Sequence, residues 1–275
     1  MSQKILSQID ADGTATVMLN RPEVHNAFDA EMVDALTATL RKLESTPGVR
    51  AVVVTGAGKN FCAGADIEQM KRSARLSRGE NLENARATAL MLHTLHTLER
   101  PTIACVRGAA RGGGVGLVAA CDIALAARGA TFRLSEVKLG LIPAMISPYV
   151  VAAMGPHHAR RYMLSGEEFD SAEAFRTGLV HDICEEPELN ALVGRMLAHL
   201  ISSGPNALIA IKKLIPGVAG SRIDEALVET TAQRIAEIRA TPEAQEGLSA
   251  FLEKRKPSWV TPASERAKKT SGGNS

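Results

Sequence analysis

Two short apolar runs each open directly into a glycine-rich loop, and that pairing limits the chain more than any other feature. The first is Arg50 to Thr55 (RAVVVT), followed by Gly56 to Gly64 (GAGKNFCAG). The second is Thr102 to Val106 (TIACV), followed by Gly108 to Gly116 (GAARGGGVG). Runs this compact and β-branched read as strands buried on both faces, as in parallel sheets. A strand over Ala15 to Leu19 precedes them. Asp29 is placed to cap a helix over Ala30 to Leu43, where Met32, Val33, Leu36, Leu40 and Leu43 recur at helical spacing. Asp66 to Glu83 is charged and lacks a clear period, so it reads as a short helix and then a mobile segment. Leu90, Leu92, Leu95 and Leu98 mark a helix that stops before Pro101. The second loop runs into an apolar helix and a strand over Asp122 to Ala126. From Glu188 onward the expectation is helices only: Leu189 to Ile201, Ala207 to Leu214, Asp224 to Arg239 and Glu243 to Lys254. The class is therefore α/β. Residues 1–187 form the core unit, 188–265 a helical region and 266–275 a flexible tail.

Composition excludes several functions. Among 275 residues, 32 Lys and Arg balance 30 Asp and Glu, and aromatics reach only 3%. That charge and that lack of stacking rings argue against nucleic acid as a partner. No run reaches the roughly 18 apolar residues of a membrane span, since Val115 to Ala127 is broken by Asp122. The first residues lack the apolar stretch of a secretory signal. Cys62, Cys105, Cys121 and Cys184 form no CxxC pair and read as buried free thiols. The setting expected from this is cytoplasmic. His93 and His96, three apart, and the adjacent His157 and His158 lack the spacing of a zinc helix, so no metal is expected.

The glycine loops carry the chemical signal. Gly56-Ala-Gly58-Lys-Asn-Phe61 lacks the third glycine of a dinucleotide fingerprint, and Gly112 to Gly116 has the wrong spacing for one. Gly58-Lys59-Asn60 is not a P-loop. Glycine lets bare backbone N–H groups approach a ligand closely. Two such loops can each aim one donor at the same oxygen and hold negative charge there. The plainer reading, two tight turns needed only for packing, stays open on the glycines alone.

Three motifs in order decide between them: Phe61-Cys-Ala-Gly-Ala-Asp66, then Gly112-Gly-Gly114 running into Cys121-Asp122-Ile123, then Ser135-Glu-Val-Lys-Leu-Gly-Leu-Ile-Pro143. Together they resemble the enoyl-CoA hydratase/isomerase (crotonase) superfamily, and the likeness runs from about Leu19 to Lys254. Leu134 to Pro143, Ile146-Ser147-Pro148, Ala159 to Tyr162, Glu246-Gly247-Leu248 and Phe251 to Pro257 are similar to bacterial 3-methylglutaconyl-CoA and isohexenylglutaconyl-CoA hydratases. The resemblance implies a ββα spiral core with a C-terminal helical region for trimerisation and active-site cover. It implies an acyl-CoA thioester as substrate, no separate cofactor, and a homotrimer or dimer of trimers. The backbone amides of Ala65 and Gly113 would grip the thioester oxygen, with Glu136 catalytic. Val24, Ala63, Asp66, Ile67, Phe251 and Lys254 would contact CoA, the last two from a neighbouring subunit, with Arg255 and Lys256 assisting.

One departure stands out. Typical hydratases of this family carry a second glutamate two residues after the triple glycine, where this chain has Gly116. One carboxylate can still pass a proton from water to C2 if both additions occur on one face. It can equally lift a proton from C2 of a 3-enoyl thioester and return it at C4 without activating water. Hydration of a branched glutaconyl thioester is the expected activity, and Δ3,Δ2-enoyl-CoA isomerisation is the alternative. A non-catalytic scaffold or RNA-binding role is the reading from another class. Ala144 stands where a dehalogenase of this family needs an aspartate. A glutaconyl substrate carries a distal carboxylate, for which Arg111, Arg133 and Lys138 are candidates by proximity in sequence.

Overall fold

The computed structural model describes residues 3–260. The tail expected over 266–275, and the last residues of the helical region, lie outside the described residues. Nine strands and ten α-helices occur among the described residues. Six strands form the main sheet: β1 (Ile5–Ile9), β2 (Thr14–Leu19), β3 (Ala51–Gly56), β4 (Thr102–Val106), β6 (Ile123–Ala127) and β9 (Asp182–Cys184), in that spatial order. β1 pairs antiparallel with β2, and every other pairing in this sheet is parallel. β5 (Ala109–Arg111), β7 (Thr131–Arg133) and β8 (Glu168–Asp170) form a second, three-stranded sheet. The helices are α1 (Ala30–Ser45), α2 (Ile67–Ser73), α3 (Arg78–Thr97), α4 (Gly113–Ala120), α5 (Ser147–Ser165), α6 (Ser171–Arg176), α7 (Leu189–Ser202), α8 (Pro205–Val218), α9 (Glu225–Arg239) and α10 (Pro242–Leu252).

The two runs that opened the sequence argument are β3 and β4, and every residue in them is buried. Strand periodicity sorts their side chains into two cores. Val52 and Val54, Ala104 and Val106, and Ala124 and Ala126 pack on one face with α1, α3 and α4. Val53, Ile103, Cys105, Leu125 and Ala127 pack on the other with Leu189, Leu192 and Val193 of α7. The sequence division at 187/188 thus falls just before α7, a helix that shares its core with the sheet. Asp29 caps α1 by accepting from the Met32 N–H at 2.9 Å.

Three sequence expectations need correction. The stretch up to Glu83 is not mobile beyond its first helix, because α3 already begins at Arg78. A capping box starts it: the Ser77 hydroxyl accepts from the Glu80 N–H, and the Glu80 carboxylate accepts from the Ser77 N–H. The second glycine loop is shorter than its spelling, since β5 lies inside it and α4 begins at Gly113. Lys254 is not helical: α10 ends at Leu252, and Lys254 takes φ +55°.

Asn26 is fully buried and joins the segment after β2 to the first loop. Its side-chain NH2 donates to the carbonyls of Ala57 and Asn60, both at 2.8 Å, and of Phe61 at 3.2 Å. Its Oδ1 accepts from the Arg21 N–H at 2.9 Å. Asn26 also sits at φ +58°, a conformation that asparagine tolerates better than most residues. Asn26→Ala should therefore destabilise the protein by about 2–3 kcal/mol, since buried carbonyls lose their donor. Urea unfolding of wild type and variant checks this as a lowered midpoint at unchanged slope.

Candidate active site

The two glycine loops are pinned to each other. The Cys62 N–H donates to the Ala109 carbonyl at 3.1 Å, and the Arg111 N–H donates to the Cys62 carbonyl at 2.9 Å. Cys62 and Ala110 thereby form a parallel bridge. The Asn60 Oδ1 adds a third tie by accepting from the Ala109 N–H at 2.8 Å. Gly64 takes φ +85°, and a Cβ there would lie 2.7 Å from the Arg111 oxygen and 3.5 Å from the Gly113 nitrogen. Only glycine allows the first loop to lie this close against the second.

Two amides are left over from this packing. Around Ala65, the Phe28 N–H donates to the Gly64 carbonyl and the Asp66 N–H donates to the Phe28 carbonyl. Ala65 itself donates to no acceptor among the described residues. Gly113 is the first residue of α4, so its N–H has no partner within the helix. It too finds no acceptor among the described residues. Both residues line one cavity of about 580 Å³, and Glu136 lines the same cavity.

Glu136 opens a 3-10 turn just after β7. The Gly112 N–H donates to the Arg133 carbonyl at 2.8 Å, tying the second loop to the strand that delivers Glu136. Gly112 takes φ +47°, and a Cβ there would stand 2.9 Å from the Glu136 Oε1. The carboxyl group therefore lies directly against the loop that presents the Gly113 amide. Its Oε2 is buried and has no hydrogen-bond partner among the described residues. Burial raises the Glu136 pKa above the ordinary 4.5. The Cys62 thiol, by contrast, is pushed up to about 12 by complete burial and stays protonated. It acts as a hydrogen-bonding core group, donating to the Asn26 carbonyl at 3.1 Å.

Gly116 is more than a missing glutamate. A Cβ at that position would meet the Ile146 Cγ2 at 2.2 Å and its Cβ at 2.9 Å. Ile146 is buried and lines the cavity. The space that a side chain at 116 would enter is filled by hydrocarbon.

Of the residues named for CoA, Ala63 lines the cavity, and Val24, Asp66, Ile67, Phe251 and Lys254 do not. Asp66 has protein partners of its own. It is buried, caps α2 through the Glu68 and Gln69 amides, and pairs with the Arg21 guanidinium at 2.9 Å. Ile67, Phe251 and Lys254 lie on exposed surface. Arg255 is held by Glu246 and Glu253. The candidates for a distal carboxylate fare no better within one chain. Arg111 pairs with Glu168 and donates to the Thr131 hydroxyl, Arg133 donates to the Gly166 carbonyl, and Lys138 packs against Gly166. None of the three lines the cavity. Ala144 does line it, and offers no carboxylate. Met145 and Ile146, expected from the sequence as pocket lining, both line the cavity, whereas sequence reasoning missed Asn26 and Asn60. For the two asparagines a faint signal existed, because polar residues between a strand and a tight glycine loop commonly satisfy backbone groups there.

The enoyl-CoA hydratase/isomerase family profile matches residues 10–262. The chain belongs to that family. It is 40% identical to a Shewanella pealeana enoyl-CoA hydratase of known structure, with TM-score 0.90 and coverage of 94% of this chain and 96% of the other. It is 31% identical to the crotonyl-CoA hydratase of Syntrophomonas wolfei over 90% of this chain and 94% of that one. It is also 31% identical to the 1,2-epoxyphenylacetyl-CoA isomerase of Escherichia coli over 94% and 99%. It is an enzyme of the hydratase family.

The contact between Gly116 and Ile146 makes a sharp test. Gly116→Ala should destabilise by about 1–3 kcal/mol through overpacking. Ile146→Ala should cost about 2–5 kcal/mol through a cavity. In the double variant the added methyl enters the vacated space, so the urea midpoint should fall by less than the sum of the two single effects.

Proposed function

We propose that this enzyme adds water across the 2,3 double bond of an enoyl-CoA thioester, with Glu136 as its only catalytic carboxylate. The supporting observation is the convergence of two unpartnered amides and one half-buried carboxyl group on a single cavity. The thioester oxygen accepts from the Ala65 and Gly113 N–H groups, where the positive end of α4 adds to the field. The Glu136 carboxylate takes a proton from water as the water oxygen bonds to C3. The π electrons pass to the thioester oxygen as an enolate. The enolate then collapses, and C2 takes the proton back from Glu136. Carboxylate and amides return to their starting state, and one water has been added to one face of the chain. Water supplies both the hydroxyl on C3 and the proton on C2 with no net oxidation or reduction, so the CoA of the substrate is the only nucleotide group the reaction requires.

A buried carboxyl suits this double role, because desolvation brings its pKa nearer to working pH. In the proposed acyl class, a branched glutaconyl thioester, the motif likeness supplies the case for a second carboxylate on the substrate. We assign Phe251 and Lys254 to the CoA of a neighbouring subunit in a homotrimer or dimer of trimers. The exposed apolar residues Ile211, Ile215, Val228, Leu248 and Leu252 give the C-terminal helices a surface for such contacts. The filled space behind Gly116 also favours a second reading, Δ3,Δ2 isomerisation, because that reaction never needs a second carboxylate.

Product mass separates the two. With crotonyl-CoA or a methylglutaconyl-CoA, gain of one water is expected. A 3-enoyl-CoA converted at unchanged mass, with no water added to 2-enoyl substrates, would replace hydration by isomerisation.

Glu136→Gln should lower kcat/KM by about 1000-fold or more, as loss of the only proton-transfer group demands. In wild type, kcat/KM should fall with acid along a single limb whose midpoint lies above 4.5. Stability should move the other way. The folded protein holds this proton more tightly than the unfolded chain, so stability declines as pH rises from the unfolded carboxyl value through the folded one. Above that window Glu136→Gln should melt at a higher temperature than wild type, while below it the two should converge.

A further inference from the structure

The cavity has two chemically different walls. One is hydrocarbon: Leu139, Leu141, Ile142, Pro143, Met145 and Ile146. The other comes from α2 and the first half of α3, and carries Gln69, Ser73, Asn81, Asn84 and Thr88. Asn81, Asn84 and Thr88 recur at i, i+3 and i+7, so they share one face of α3. This inward face is polar where a helix packed on core would be apolar.

The polar wall is free to bind. The Asn84 and Gln69 amides and the Ser73 hydroxyl donate to no protein acceptor among the described residues, while Asn81 makes one hydrogen bond, to the Leu76 carbonyl at 3.2 Å. A plain alkyl chain seated here would strip water from these groups and give nothing back. No Lys, Arg or His lines the cavity among the described residues. The acidic residues that line it are Glu136, beside the two amides, Asp29, which pairs with Lys4 and Arg21, and the exposed Asp34.

We propose that Asn84 and Gln69, supported by Asn81, form a subsite for an acceptor oxygen on the acyl group, and that this oxygen belongs to a distal carboxylate. The inference rests on the enoyl thioester reading and adds how such a carboxylate is met: by neutral amide donors. Charge-assisted hydrogen bonds from N–H groups are strong enough for that task without a cation. The branch of the acyl chain then lies on the hydrocarbon wall opposite.

The test is a ratio of affinities, measured by calorimetry on the full chain with two saturated thioesters, glutaryl-CoA and butyryl-CoA. They differ in the distal carboxylate and share the CoA. Wild type should favour glutaryl-CoA. Asn84→Leu should reduce that preference about 10-fold or more, the size of a lost hydrogen bond to a charged group. Asn84→Asp, which keeps the shape and faces the ligand with like charge, should reduce it further. An unchanged ratio in both variants, or a wild type that prefers butyryl-CoA, overturns the subsite. A retained preference for glutaryl-CoA in Asn84→Asp with loss in Asn84→Leu also overturns it, because packing rather than donation would then be at work. The ratio does not depend on turnover, so failure of hydration in the product-mass assay is read separately from failure of the subsite.

Discussion

The bridge between Cys62 and Ala110 is the contact on which the rest of the site depends. Backbone hydrogen bonds there, with Asn60 beside them, lock two loops that are nearly fifty residues apart in sequence. Each loop alone is a turn after a buried strand. Locked together, they leave the amides of Ala65 and Gly113 with no acceptor among the described residues. An unsatisfied N–H close to a cavity is unfavourable until an oxygen arrives, and the parallel sheet beneath is what makes that arrangement tolerable. β3 and β4, buried on both faces, give the loops a rigid base.

The same logic governs Glu136. Its turn follows β7, which is joined to the second loop through Gly112, so carboxyl and amides move as one unit. The carboxyl group is held against hydrocarbon and glycine with one oxygen lacking any partner. That position is poor for stability and good for proton transfer. The site therefore stores a modest cost in the free protein, as preorganised catalytic groups commonly do.

Much of this was legible in the residues. β3, β4 and α1 follow from compact apolar runs, helical spacing and the Asp29 cap, and the structure has them where the spacing placed them. The glycine loops were visible in their spelling, and Glu136 in the likeness of Ser135-Glu-Val to the family motif. What escaped was governed by partners distant in sequence. The three-residue strands β5, β7 and β8 are too short to show a period. Asn26 looks like any polar loop residue until its three carbonyl partners are in place. The first half of α3 was misread for a physical reason. Its inward face meets a cavity instead of core, so Asn81, Asn84 and Thr88 stand where apolar residues would announce a helix. Only the Ser77 and Glu80 pair, a capping signature, marked its true start.

The contact of Gly116 with Ile146 has a consequence for how such sites diverge. Any single change that gives residue 116 a side chain collides with the isoleucine, and any single change that shrinks the isoleucine first leaves a void. A side chain at 116 and a smaller residue at 146 would therefore have to arrive together, since either change alone folds less well.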